Sequence, residues 1–176
     1  MRQIFTAVFI LLSNILFAQS TTVVISQVYG AGGNAGALFN ADYVELHNKS
    51  NVAQTLSNYS IQYASATATA NWSGKSKLPS SVTIPAGGYY LIQMSSTGAS
   101  GVALPTADHV ASPTISMSAK NARVALVSDT ATLSACPSGG NVVDLVGYGT
   151  TTVCSEATPT DTLGILRAAL RNNNGC

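Results

Sequence analysis

The chain has 176 residues, of which 46% are hydrophobic and 9% charged, with a formal net charge of +1. That apolar content excludes a disordered chain, and the length is enough for one domain with a sizeable core. No basic stripe appears, the closest basic pair being Lys75 and Lys77, which argues against phosphate-neutralising nucleic-acid binding and against steering of an anionic partner.

The first residues, MRQIFTAVFILLSNILFAQS, carry Arg2 as a positive start, an apolar run from Ile4 to Phe17, and Ala18-Gln19-Ser20 as a small-x-small cleavage site. This is the pattern of an export signal over residues 1–20. The run is shorter than the about 20 apolar residues of a membrane span. No cysteine follows it, so no lipid anchor is indicated. The mature protein is therefore expected to be secreted or extracellular, with the domain over residues 21–165 and a truncated C-terminal tail over residues 166–176.

The first strand is expected at Thr22 to Tyr29 and the second at Asp42 to Asn48, where apolar and polar residues alternate. Between them lies a loop rich in Gly, Ala and Asn. Its GAGGNAG run is followed by a strand rather than a helix, so it lacks the context of a phosphate-binding fingerprint. A third strand is expected at Tyr59 to Ala64, with Tyr59, Ile61 and Tyr63 on one face. Trp72, the only tryptophan, reads as a core or rim anchor, or as a stacking platform for a sugar ring or base. Further strands are expected at Val82 to Ile84, Tyr89 to Gln93, Asn121 to Val127 and Asn141 to Tyr148, with Thr114 to Met117 as a short edge strand. Leu163 to Leu170 has the length of one or two helical turns. Short strands at this spacing, with turn residues between them, predict an all-β sandwich.

Cys136, Cys154 and Cys176 all fall in the last quarter of the chain. Disulfides are allowed in an exported protein. A Cys136–Cys154 bridge would enclose the strand around Val142 to Tyr148 and is the expected pair, worth roughly 3 kcal/mol in the chain-entropy model. Cys154 with Cys176 is the competing pairing.

Catalytic patterns are sparse. A metal-dependent hydrolase needs clustered carboxylates with His or Asn nearby. Glu45 and His47 alternate on one strand and so share a face, and Asp108-His109 is a neighbouring pair; neither stands beside a nucleophile motif, and there is no zinc spacing. On a solvent-facing strand, Glu45 and His47 read as surface residues. Asp42 and Glu45 beside the Gly- and Asn-rich loop are candidate calcium or ligand contacts, but two acids without a DxDxDG run make a thin oxygen set. Asp144 reads as an outward residue of an otherwise apolar strand.

Several stretches together resemble the lamin-tail domain, an immunoglobulin-like β-sandwich, in its bacterial secreted branch. They are VVISQVYG (Val23 to Gly30), DYVELHN (Asp42 to Asn48), LSNYSIQYASATA (Leu56 to Ala68), IPAGGYYLIQ (Ile84 to Gln93), KNARVALV (Lys120 to Val127), VVDLVGYG (Val142 to Gly149) and ALRNNNGC (Ala169 to Cys176). Where that family usually has Glu in the first strand this chain has Gln27, and where it usually has Phe-Glu-Gly this chain has Ser155-Glu156-Ala157. The family pattern continues past the NGC element into a final strand, so the last strand and a partner for Cys176 are expected to be missing.

The resemblance implies a non-enzymatic accessory domain for binding, positioning or tethering at the cell surface or outside the cell, with no catalytic residues and no required cofactor. One alternative is the N-terminal fragment of a secreted nuclease of the endonuclease/exonuclease/phosphatase class, its nuclease domain lying in cis. Another is a carbohydrate-binding module that uses Trp72 and the tyrosines.

Overall fold

The computed structural model describes residues 22–137 and 139–172. Residues 1–20, read above as an export signal, and Cys176 lie outside the described residues. Eleven strands follow one another: β1 (Val23–Tyr29), β2 (Tyr43–Asn48), β3 (Gln54–Thr55), β4 (Ser60–Ser65), β5 (Gly74–Lys77), β6 (Thr83–Ile84), β7 (Tyr89–Gln93), β8 (His109–Val110), β9 (Ala122–Val127), β10 (Val142–Tyr148) and β11 (Ala169–Leu170). They form a five-stranded sheet, β11-β1-β2-β7-β8, a four-stranded sheet, β10-β9-β4-β5, and a small β3-β6 pair. The fold is an immunoglobulin-like all-β sandwich.

The core lies between the two larger sheets. Val23, Ile25 and Val28 of β1, Val44 and Leu46 of β2 and Ile92 of β7 face Ile61 and Tyr63 of β4 and Val124 and Leu126 of β9. These positions follow the period of two that alternate side chains impose on a strand. Each fully buried aliphatic side chain contributes about 1.5–3 kcal/mol from leaving water. A bulge between Ile25 and Gln27 breaks the alternation of β1 and returns Val28 to the core.

The outer face of the four-stranded sheet is also covered. All six residues of β9 are buried, because residues 128–137 cross outside it as a strap. Ser60 Oγ and Gln62 Nε2 donate to the carbonyls of Asp129 and Ala131 at 2.6 and 2.7 Å, and the Leu133 amide donates to Gln62 Oε1 at 3.0 Å. Trp72 packs under the strap with Leu133, Leu145 and Cys154. The Cys136–Cys154 disulfide, with a sequence separation of 18, ties the strap to the segment after β10.

Three expectations are corrected. Residues 114–117 form no strand; their amides are used singly, Ile115 by the Met94 carbonyl and Met117 by Asp42 Oδ2. The strand at that edge is instead β8, parallel to β7. Residues 163–170 make no helical turn: a tight bridge joins Gly164 to Arg167, and Ala169 and Leu170 pair with Val28 and Gln27. Residues 169–171 thus add to the sheet rather than form a tail, and the Arg171 amide donates to the Ser26 carbonyl at 2.9 Å. The strands β3, β5 and β11 carry no apolar alternation of their own (QT, GKSK and AL) and exist because neighbouring strands offer them a free edge.

Candidate functional site

A cleft of about 430 Å³ opens where the two sheets part at the edges of β1 and β10. One wall is Ile25 to Val28 with Ala169, Leu170 and Arg171; the other is Leu145 to Gly147 with residues 155–158. Gly147 makes the second wall possible. A Cβ there would stand 2.7 Å from the Cys154 carbonyl oxygen, closer than real Cβ contacts, so only glycine lets the segment after the disulfide lie against β10.

Three charged side chains meet at the head of this cleft. Asp144 sits on the inner face of β10, in register with the core residue Leu126, and its side chain is 0% exposed. It accepts the Ile25 amide at 2.6 Å and the Arg171 guanidinium at 2.8 Å on each oxygen. Arg171 Nε also donates to the Ile25 carbonyl at 3.0 Å. The pair therefore satisfies both backbone groups of Ile25 on an edge that two-residue β11 leaves uncovered, where unmet backbone groups would otherwise be costly. The expected outward placement of Asp144 is corrected: it points into the sandwich and holds its open edge together.

Glu156 completes the group. Its amide donates to the Leu145 carbonyl at 3.3 Å, which fixes the segment beside β10. Its side chain is 11% exposed, and Oε2 lies 3.6 Å from the Arg171 guanidinium, beyond a hydrogen bond. Burial, and then the neighbouring Asp144 carboxylate, push its pKa up to about 7, against the pull of Arg171. Neither carboxyl oxygen receives a hydrogen bond from a described residue. Burial and the neighbouring Asp144 charge thus favour the protonated form of the Glu156 carboxyl.

This sets a pH dependence. A carboxyl whose folded-state pKa is raised stabilises the fold below its ordinary value, and that contribution is lost as pH rises through the folded value. Between pH 8.5 and 6.5 the group that changes most is Glu156. Asp42, raised by burial to about 6, titrates lower. His109, whose pKa burial pushes down from its ordinary 6.5, opposes part of the gain as pH falls toward 6.5. The chain is expected to melt about 3 °C higher at pH 6.5 than at 8.5, and Glu156→Gln is expected to flatten this difference, both read by calorimetry. An unchanged slope in the variant would remove Glu156 as its source.

The residues singled out from the sequence fall elsewhere. Trp72 is 3% exposed. Its indole nitrogen donates to the Ala135 carbonyl at 3.1 Å, and the buried Arg123 guanidinium covers one face at 5.2 Å from the ring centroid. It is an anchor for the strap and offers no open ring to a sugar or base. Asp42 is 3% exposed; Oδ1 accepts the Gly32 amide and Oδ2 the Met117 amide, each at 2.7 Å. It closes the Gly-rich loop, whose Gly32 approaches so near that a Cβ would fall 1.9 Å from the Ala41 carbonyl carbon. Glu45 lies on the opposite, outer face and accepts Ser26 Oγ at 2.6 Å. Asp42 and Glu45 thus serve separate bonds rather than one shared oxygen cage. His47 is buried, not surface-exposed, because Tyr89 stacks on it at 4.3 Å. Among the described residues, no group of three or more His, Cys, Asp or Glu side chains could hold a metal ion.

The cleft residues Arg171 and Glu156 were not singled out as a site from the sequence. Their separation along the chain hides them: Arg171 lies in a stretch that carries the family resemblance, and Glu156 in one that departs from it. A family model described as Lamin Tail Domain matches residues 17–150. No curated protein matches the chain.

Proposed function

Because the chain belongs to the Lamin Tail Domain family, we propose that it works as an exported, non-enzymatic accessory domain that binds, positions or tethers outside the cell, through the cleft between β1 and β10. The observation that carries this reading is the cleft itself. The strap covers the outer face of one sheet, while the β1–β10 edge is open and lined by apolar side chains with a small set of polar groups. That is the usual make-up of a binding concavity. The disulfide suits an oxidising compartment. No helix among the described residues is long and apolar enough to cross a membrane.

The test is to titrate the purified chain with polysaccharides, duplex DNA and unstructured polypeptide, following backbone amide resonances, and to assay the same samples for phosphodiester hydrolysis. The reading predicts saturable shifts around residues 25–28 and 155–158 without turnover. Hydrolysis by this chain alone, or saturable binding that maps only to another face, would overturn it.

A further inference from the structure

We propose that the cleft receives a lysine side chain of a partner polypeptide, with the four-carbon stem on the apolar walls and the ammonium against Glu156. This rests on the cleft being the contact surface. The walls follow two strand segments, Ile25 to Val28 of β1 and Leu145 to Gly147 of β10, along which an extended chain would lie. Half-buried Val146 and exposed Leu170 offer apolar surface to a stem. At the head stand two carboxyls, Asp144 and Glu156, against one guanidinium, Arg171. No other charged residue lines the cleft. With both carboxyls ionised the site lacks one positive charge.

Asp144 is fully engaged by Ile25 and Arg171. Glu156 is the less engaged of the two: Oε2 pairs with Arg171 only at 3.6 Å, and neither oxygen receives a hydrogen bond from a described residue. It is carried by a segment whose next residues, Ala157 and Thr158, are exposed, so a side-chain rotation turns its carboxylate from Asp144 into the cleft. An ammonium is a compact cation that one carboxylate can hold, whereas a guanidinium prefers the two-oxygen fork that Asp144 already presents to Arg171.

Binding is then an exchange. The incoming ammonium takes the place of the proton on Glu156, which leaves to solvent, and the net charge of the site is unchanged. Asp144 on β10 and Arg171 after β11 are the charged groups that face Glu156, and neither exchanges a proton in this step. Since Glu156 titrates at about 7, the apparent affinity rises about tenfold between pH 6 and pH 8.

The probe is tetralysine, added to the isotopically labelled chain and followed by amide shifts. The chain as a whole carries 8 basic and 7 acidic residues, so general attraction for a polycation is absent. Expected are shifts at residues 25–28, 145–147 and 155–158, about tenfold weaker binding at pH 6 than at pH 8, and none with Nε-acetylated tetralysine. Glu156→Gln is expected to weaken binding at pH 8 at least tenfold. Ala157→Phe, at an exposed position of the cleft wall, keeps every charge and is expected to do the same by narrowing the opening, which guards against a folding defect in the first variant. Equal binding by the acetylated probe or by either folded variant would overturn the proposal. So would butylamine binding as tightly as tetralysine, which would make the site one for free amines. If tetralysine fails while another polymer shifts the cleft residues, the lysine assignment falls and the binding-domain reading stands.

Discussion

Arg171→Ala is expected to lower stability by roughly 3–5 kcal/mol, because it strands a buried carboxylate. Asp144 has no exposed side-chain surface, and Arg171 bonds to both its oxygens and to the Ile25 carbonyl. Without the guanidinium, the Ile25 carbonyl loses its partner and the charge on Asp144 is countered only by a backbone amide. The cost comes from isolation of the charge rather than from the intrinsic worth of the pair. Replacing both residues together, Asp144→Leu with Arg171→Leu, is therefore expected to cost much less than the single change, since well-packed apolar groups often substitute for a buried ion pair without loss. Urea unfolding of the single and double variants measures this. A loss below about 1 kcal/mol in Arg171→Ala, the range of an exposed ion pair, would show that the edge is held by something else.

Removing the disulfide is expected to cost about 2–4 kcal/mol. Cys136 ends the strap and Cys154 fixes it to the cleft wall, over a separation of 18 residues. The double variant Cys136→Ser/Cys154→Ser should unfold at lower urea than the parent and should shift the emission of Trp72 to the red. The reason for the optical change is local. The Trp72 amide and indole both donate to strap carbonyls, those of Leu133 and Ala135, so release of the strap brings water to the only tryptophan. Arg123 shares the Ala135 carbonyl through Nη1 and reaches the Ala68 carbonyl through Nη2. Its buried charge has no carboxylate partner among the described residues and depends on two carbonyl dipoles, one of which, Ala135, the strap supplies. Unchanged emission together with a loss below about 1 kcal/mol would mean that the strap holds itself in place.

The sandwich was legible in the sequence wherever one face of a strand is wet. β7 is such a strand, and Tyr89 to Gln93 was read with both ends correct; β1 and β2 were found although nearly every residue of both is buried. It was least legible where both faces are dry. In NVVDLVGY the outer residues Val142 and Leu145 lie under the strap and the inner residues Val146 and Tyr148 lie in the core. Apolar residues on both sides leave no pattern to say which way Asp144 points. The strap itself reads as polar loop, because its attachment to β4 and β9 is through Gln62, Ser60 and Arg123 rather than through an apolar stripe. The disulfide was legible from compartment and position. The cleft was not: Ile25, Asp144, Glu156 and Arg171 are brought together only by sheet topology, and each alone has an ordinary surface or strand reading. Glu45 and His47 were correctly placed on one face, but Tyr89 arrives across the β2–β7 ladder and covers His47.

The proposed export and the disulfide strap are tested most directly by a peptide map, without reductant, of the natural product recovered outside the cell. The account predicts that the chain is found there without the residues of the export signal, with Cys136 cross-linked to Cys154. Recovery only inside the cell, free thiols at both positions in exported protein, or a Cys154–Cys176 link would contradict it.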